Sequence, residues 1–518
     1  MKRNTSRTEN SIINMTWGAI ANIVVLLLNF VSRTVFIYSI GTVYLGINGL
    51  FTNVLGMLSI TELGIGTAIN FSLYKPVAEE DREKVKSLML LYKRAYRIIA
   101  VIVGSIGLIL LPFISYLIKD DGGIKNLTLY YVIFLFNSVS SYFVTYKYGL
   151  VYADQKGYLL NNIDMCCRLV TTVIQIIVLL VWKSFLIYLL VQTVLQLLQK
   201  IITGIYINRV YPYLEEKKVS PLQAEEGARI KHNVKALLLH KIGEISVYQT
   251  DNIIISSFVS ILAVGLISNY NLILTTITGF LMIFFNAITA SLGNLVATEE
   301  KDKQYRILSV YNFIGCWLYG VTSVCFIALF QIFIRCWIGS ENLLDWSVVV
   351  MLVVCYYISG QRMTITNFKT VSGIFSQDRY VALIQAVVNV VVSIAMVQIF
   401  GLAGVYVGTI LSGLIPTIVR PIIVYKVAFD RLAIEYFRQA IQFFSASVGV
   451  SFLLLQLNQS ILRITTLNWF SMIMIAILTF VLANLIFIFL FRKNVEFQYL
   501  YEKINSTFYK WRNRHGQC

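Results

Sequence analysis

The chain has 518 residues, 57% hydrophobic and only 13% charged, with a strongly positive mean hydropathy. A water-soluble fold cannot hide that much apolar surface, so the bilayer is the solvent to assume. The formal charge of +17 would suggest nucleic acid in a soluble protein, but here it follows the loops, and a nucleic-acid partner drops out.

The first ten residues are basic and polar. The apolar run behind them is too long for a signal-peptide core and has no small-residue cleavage site after it, so it is read as a retained helix. Apolar runs broken by short polar turns predict about fourteen membrane helices in an all-α polytopic membrane protein. They lie near 11–40, 44–74, 95–118, 127–151, 158–181, 184–207, 237–259, 262–296, 307–334, 346–370, 380–399, 402–426, 439–457 and 468–491. Several exceed about 20 residues, which predicts tilt, kinks or interfacial ends. The longest polar loop falls between the sixth and seventh helices and carries Pro212, Pro221 and mixed charge. The expected organisation is a six-helix lobe (1–207), a linker (208–236), a second six-helix lobe (237–438), two extra helices (439–491) and a tail (492–518). That tail interleaves Tyr499, Tyr501, Phe508, Tyr509 and Trp511 with basic residues. A surface-bound and a solvated tail both fit this pattern.

A repeat supports the two lobes. Val77-Ala78-Glu79-Glu80-Asp81-Arg82-Glu83-Lys84 returns, 219 residues on, as Val296-Ala297-Thr298-Glu299-Glu300-Lys301-Asp302-Lys303. The same offset carries Gly46 onto Gly265, Tyr92 onto Tyr311 and Tyr206 onto Tyr425. It slips to 222 where Lys147, Gln155 and Tyr158 meet Lys369, Gln377 and Tyr380. Six helices per unit give the pseudo-symmetric halves the same orientation, about an axis along the membrane normal.

Positive charge predicts which side is which. With a cytoplasmic N-terminus, the inside segments hold 36 of the 43 lysines and arginines. The outside turns hold only Lys119, Lys125, Lys183, Arg335 and Arg463. This asymmetry predicts cytoplasmic N- and C-termini, with attraction to anionic membrane lipids as a second consequence of the charge.

Polar residues inside membrane helices are costly, so their helical phase is informative. The first helix aligns Asn14, Asn22, Asn29 and Arg33 along one side. The second aligns Asn48, Thr52, Ser59, Glu62, Gly66 and Asn70; the fifth Asn161, Asp164, Arg168, Thr172 and Gln175. The seventh has His240, Glu244, Tyr248 and Asp251, and the tenth Arg362, Thr366 and Lys369. Two readings stand for each stripe: hydrogen bonding between helices, or a shared polar cavity. Arg168 and Arg362 lie deepest, and Arg168 has Asp164 four residues away as a same-helix partner. His240, Lys241 and Arg420 lie near helix ends, where snorkelling serves them.

No nucleotide-binding loop, H-E-x-x-H or G-x-S-x-G motif appears, and no large extramembrane domain exists to house soluble chemistry. An enzyme is not expected. The seven cysteines have no paired spacing, and only three histidines are present, so neither a disulfide framework nor a metal centre is indicated.

The segments Glu62-Leu63-Gly64-Ile65-Gly66, Leu73-Tyr74-Lys75-Pro76 and Thr250-Asp251-Asn252-Ile253-Ile254-Ile255-Ser256 resemble bacterial polysaccharide flippases. These are the O-antigen and capsule repeat-unit exporters of the MATE-like superfamily, which also includes lipid II flippases. The resemblance covers the whole chain in helix number, duplication and loop sizes. It implies a flippase in the bacterial cytoplasmic (inner) membrane. The implied substrate is an undecaprenyl-diphosphate-linked oligosaccharide, moved from inner to outer leaflet. Polysaccharide polymerase and chain-length machinery are the implied partners. No resident cofactor is expected, and coupling to H+ or Na+ is left open. The family supplies no strict signature, so the site residues come from this sequence. Arg168, Arg362, Lys369 and Asn29 are the expected substrate-binding groups. Arginine suits a diphosphate because its planar fork engages phosphate oxygens in pairs. Arg33, Asp251, Glu62 and Glu244 are the expected gate or ion-coupling groups. On the 219 register Arg33 aligns with Asn252, one residue from Asp251, and a charge pair there would latch an outer gate. Three rivals remain: a cation-coupled multidrug exporter of the same superfamily, a membrane-embedded polysaccharide-assembly enzyme, and a scaffold.

Overall fold

The computed structural model describes residues 7–120, 123–216, 249–375 and 377–515, with positions 219, 222, 227, 228 and 230. Among the described residues every regular element is helical, and the protein is an all-α polytopic membrane protein. The first part of the chain forms α1 (Arg7–Ile40), α2 (Thr42–Leu58), α3 (Ile60–Ala78), α4 (Arg82–Leu110), α5 (Leu127–Thr145), α6 (Tyr148–Ala153), α7 (Gly157–Trp182) and α8 (Phe185–Val210). Then come α9 (249–258), α10 (Ile261–Thr298), α11 (Lys301–Ile338), α12 (Trp346–Gln361), α13 (Met363–Val371), α14 (Val381–Phe400) and α15 (Leu402–Phe429). The last three are α16 (Ile434–Ile464), α17 (Trp469–Phe491) and α18 (Val495–His515). Eleven of the described helices are long and apolar enough to cross a membrane, or twelve if the bent pair Val24–Ile40 and Thr42–Leu58 is one span.

Several runs that read as single spans are broken, each at an identifiable place. Gly41 adopts φ +92°, open to glycine at no steric cost, and α1 and α2 meet there at 118°. The 44–74 run divides at Ser59, whose hydroxyl bonds back to the Gly56 carbonyl at 2.7 Å. The 127–151 run divides between Thr145 and Tyr148, and the 346–370 run at Arg362.

The chain forms two compact units, Met1–Gly265 and Leu266–Cys518. In the first, α4 packs on α3 and α5 around a core that includes Leu73, Leu88, Val103 and Leu150. Three segments predicted to share one membrane side converge here. Lys86 Nζ donates to Glu216 Oε2 at 2.8 Å, Lys147 Nζ to Asn208 Oδ1 at 2.6 Å, and the Tyr211 hydroxyl to Asp154 Oδ2 at 2.6 Å. Two segments predicted for the other side also meet. Lys119 N donates to the Ser256 carbonyl at 3.0 Å, and the Ser256 hydroxyl to the Leu117 carbonyl at 2.7 Å.

Helix α2 and the start of α10 pack backbone to backbone within this unit, and side chains of α9 reach α2 beside them. A Cβ on Gly46 would fall 2.0 Å from the Ile261 carbonyl oxygen, and one on Gly265 would fall 2.2 Å from the Thr42 carbonyl oxygen. Small residues permit this approach, the usual device for helix association in lipid.

The second unit is built on α11, which packs against α12, α16 and α17. Phe313, Phe443, Phe487 and Phe491 form its aromatic core, with Phe443 and Phe491 stacked at 3.9 Å between centroids. In the hairpin of α14 and α15, Gly404 and Gly408 bring α15 onto the backbone of α14 at Met396 and Ser393.

Candidate functional site

The second-helix stripe Glu62, Gly66, Asn70 lies on α3 and meets Tyr92 and Tyr96 on α4. Both pairs share a four-residue period, so two turns of each helix face each other. The Tyr96 hydroxyl donates to Glu62 Oε1 at 2.8 Å. The Tyr92 hydroxyl lies 3.3 Å from both Asn70 Oδ1 and the Gly66 carbonyl. Gly66 makes the arrangement possible, since a Cβ there would sit 3.1 Å from the Tyr96 hydroxyl and 3.3 Å from that of Tyr92. Tyr142 on α5 closes the aromatic wall, its ring 6.0 Å from Tyr96. Glu62 is therefore a half-buried carboxyl held by Tyr96 inside an apolar helix bundle.

The repeat shows which part of this cluster is scaffold. The register carries Tyr92 and Asn70 onto Tyr311 and Thr289. There the Tyr311 hydroxyl accepts from Asn367 Nδ2 at 3.0 Å, and the Thr289 hydroxyl donates to the Phe285 carbonyl at 2.8 Å. It carries Glu62, Gly66 and Tyr96 onto Leu281, Phe285 and Gly315. In the second unit Phe285 is fully buried, stacked on Tyr319 at 5.7 Å. A tyrosine with an amide partner is common to both halves, whereas the repeat mates of Glu62 and Tyr96 are Leu281 and Gly315, which can form neither the carboxyl nor its donor.

The fifth-helix stripe divides between the two readings. Asp164 Oδ1 accepts from Gln199 Nε2 at 2.6 Å, and Gln175 Nε2 donates to Gln192 Oε1 at 3.2 Å, so two members bond to α8. Arg168 does not pair with Asp164. It is exposed near the middle of α7, and its guanidinium has no hydrogen-bond or ion-pair partner among the described residues. Asn29 is likewise exposed, on α1.

The tenth-helix cations sit differently. Arg362, at the break between α12 and α13, is 8% exposed and donates through Nη1 to the Gly413 carbonyl on α15 at 3.3 Å. Lys369 is also buried, its Nζ 2.5 Å from Asp378 Oδ2. Arg420 Nε approaches the same oxygen at 3.2 Å, so this arginine turns into the protein and does not snorkel outward. Two cations thus share one carboxylate that is 1% exposed.

Arg33 on α1 lies beside Tyr188 of α8, within the first unit. Asp251 lies on α9, whose neighbours Gln249 and Asn252 face Gly56 and Gly49 of α2. Glu244, with His240, Lys241 and Tyr248, lies outside the described residues. No group of three or more metal-binding side chains occurs among the described residues.

No protein-family model matches the sequence, and no curated protein does. Solved structures do. An inward-facing multidrug-resistance MATE transporter of the MOP superfamily aligns over 83% of this chain and 99% of its own, at 15% identity and TM-score 0.57. The lipid II flippase MurJ, in an inward closed conformation, aligns over 91% and 98%, at 14% identity and TM-score 0.61. The chain has the MATE-like fold. A Vibrio cholerae MATE transporter aligns over 83% and 98%, at 14% identity and TM-score 0.50.

Within the MATE-like chain, sequence reasoning missed the tyrosine donors and Asp378. The tyrosines had a signal: Tyr92 and Tyr96 stand four apart, directly after the repeated charged turn. Asp378 lies in a short polar loop, and its inward turn had no periodicity to betray it.

Proposed function

We propose that this chain is a flippase that moves an anionic lipid-linked oligosaccharide, of the undecaprenyl-diphosphate class, from the inner to the outer leaflet by alternating access. The observation that carries the reading is Arg168. A guanidinium halfway along a membrane helix, with no partner among the described residues, is costly unless water or an anion meets it. The neighbouring carboxylate that would neutralise it is engaged by Gln199. A diphosphate fits the guanidinium fork, and the MATE-like fold shared with a lipid II flippase supports a lipid-linked cargo. Glu62 supplies the coupling group. Protonated, it is neutral in its tyrosine cage; ionised, it takes the Tyr96 hydrogen bond. Proton gain and loss there would drive the cycle, with Na+ as the competing ion.

A multidrug exporter is the second reading, favoured by the same Glu62 cage, since a carboxylate among tyrosine rings also suits an organic cation. Proteoliposomes loaded with a fluorescent undecaprenyl-diphosphate glycan separate the two. Leaflet transfer that is lost in Arg168→Gln supports the flippase. Transport of lipophilic cations with no glycolipid transfer supports the exporter.

A further inference from the structure

The C-terminal helix α18 follows α17 after the short turn Arg492-Lys493-Asn494. Its Phe497, Leu500, Tyr501 and Ile504 recur at helical spacing and form one apolar stripe. The stripe faces α11. Phe497 stacks on Trp317 at 5.9 Å, and a wholly apolar hollow of about 250 Å³ lies between Phe313, Trp317, Leu500 and Ile504. Its outer edge is open, because Tyr501 and Ile504 remain 60% and 65% exposed.

About two turns nearer the start of α11 the chemistry changes sign. A second hollow of about 470 Å³ lies between α11, α16 and α18 and contains Arg306, Arg438 and Lys493. The Arg306 guanidinium lies 4.8 Å from the centre of the Tyr499 ring. Arg438 and Lys493 are exposed and have no carboxylate partner among the described residues. Two acids share the hollow, Glu435 and Glu496, and Glu435 is engaged by the Tyr305 hydroxyl. The cations exceed the acids. Along α11 the lining passes from 305–310 to 313–318, a shift of eight residues or about 12 Å. That separates a phosphate from the first methylenes of an acyl chain.

We propose that α18 is an in-plane membrane helix and that, with α11 and α16, it holds one anionic phospholipid. The phosphate sits among Arg306, Arg438 and Lys493, and an acyl chain lies along Phe497, Leu500 and Ile504. Charge complementarity selects this occupant. A basic amphipathic helix directly after a membrane span is the arrangement that anionic headgroups attract. A zwitterionic lipid would leave the cations without a net counter-charge, and a soluble anion would leave the apolar stripe uncovered. The site uses neither Glu62 nor Arg168, so it stands or falls independently of the transported substrate.

The test is native mass spectrometry of the full chain, released from membranes containing equal phosphatidylglycerol and phosphatidylcholine. Wild type should retain phosphatidylglycerol preferentially, with about fivefold contributed by each cation. Arg438→Gln with Lys493→Gln should cut the preference about 25-fold, leaving what Arg306 supplies, whereas Arg438→Lys should keep it. Leu500→Ser with Ile504→Ser should lower retention of both lipids. Melting of each variant, with and without added phosphatidylglycerol, separates a lost site from a lost fold. Folded wild type melts higher with the lipid, and the folded double glutamine variant gains less. Equal retention of the two lipids by wild type overturns the proposal. So does an undiminished preference in the double glutamine variant, or selective binding of inorganic pyrophosphate without any lipid preference.

Discussion

Gly46 and Gly265 are repeat mates that occupy the same place in one helix crossing. Gly46 lies against the carbonyl of Ile261, and Gly265 against the carbonyl of Thr42, the residue that the 219 register pairs with Ile261. The contact is therefore reciprocal, as two related helices make when they cross at a local two-fold axis. A methyl group on either glycine would overlap backbone, which has no flexible end to move aside. Gly46→Ala and Gly265→Ala should each destabilise by about 1–3 kcal/mol, and by similar amounts. Gly279→Ala, where a Cβ meets nothing within 4 Å, should stay within about 0.5 kcal/mol of wild type. Thermal melting in detergent compares the three. Unequal losses at the two mates would argue against a reciprocal crossing.

The Lys369–Asp378–Arg420 cluster predicts an asymmetric set of stability losses. Asp378→Ala leaves two cations inside the second unit without their carboxylate, and should cost about 3–5 kcal/mol. Lys369→Met removes a charge but leaves Asp378 paired with Arg420, and should cost less. Chemical unfolding or melting curves give the order. A milder effect for Asp378→Ala would mean that the cations find water.

Arg168 and Arg362 entered as equivalent candidates, and their surroundings now separate them. Arg168→Gln should weaken binding of the lipid-linked diphosphate about 10- to 100-fold with little change in melting. Arg168→Lys should restore part of the loss, because charge returns without the fork. Arg362→Gln should lower stability first, since its guanidinium is buried against the Gly413 carbonyl. Binding and melting measured on one preparation of each variant distinguish these outcomes.

Glu62 carries the coupling prediction. Glu62→Gln keeps the shape and a hydrogen-bonding oxygen but cannot change charge, so it should abolish stimulation by a proton gradient while leaving substrate binding intact. Tyr96→Phe removes the donor to the carboxylate and should shift the pH at which stimulation appears. Removing the donor destabilises the charged form, so the midpoint should move to higher pH. Gradient-driven uptake across a pH series reads both. Normal stimulation in Glu62→Gln would assign coupling elsewhere, with Asp251 the next candidate.

Much of the architecture was legible because hydropathy and duplication are properties of long stretches. The 219 register, read from a charged turn, also paired Gly46 with Gly265, although only the structure shows that the two meet in one crossing. The breaks were less visible. Ser59 and Arg362 follow Gly56 and Gly360 by three and two residues, but a lone glycine inside an apolar run is too weak a stop signal to announce a break. The site was legible only in part. Stripe phase found Glu62, Gly66 and Asn70, but phase is identical for a residue that faces water and one that faces another helix. Hence Asp164 and Gln175 read like Arg168, although the first two bond to α8 and Arg168 does not. Lys369 read as a binding group because its partner is a loop aspartate nine residues away, beyond any helical spacing.

The central claim is that Arg168 meets an anionic lipid-linked cargo during leaflet exchange. The most direct measurement is the rate at which reconstituted protein carries a fluorescent undecaprenyl-diphosphate oligosaccharide between leaflets, read by quencher accessibility. The account predicts transfer by wild type and slower transfer by Arg168→Lys. It predicts transfer near the protein-free rate by Arg168→Gln, in protein that melts like wild type. Wild-type transfer by folded Arg168→Gln, or no transfer by wild type under any ion gradient, would contradict it.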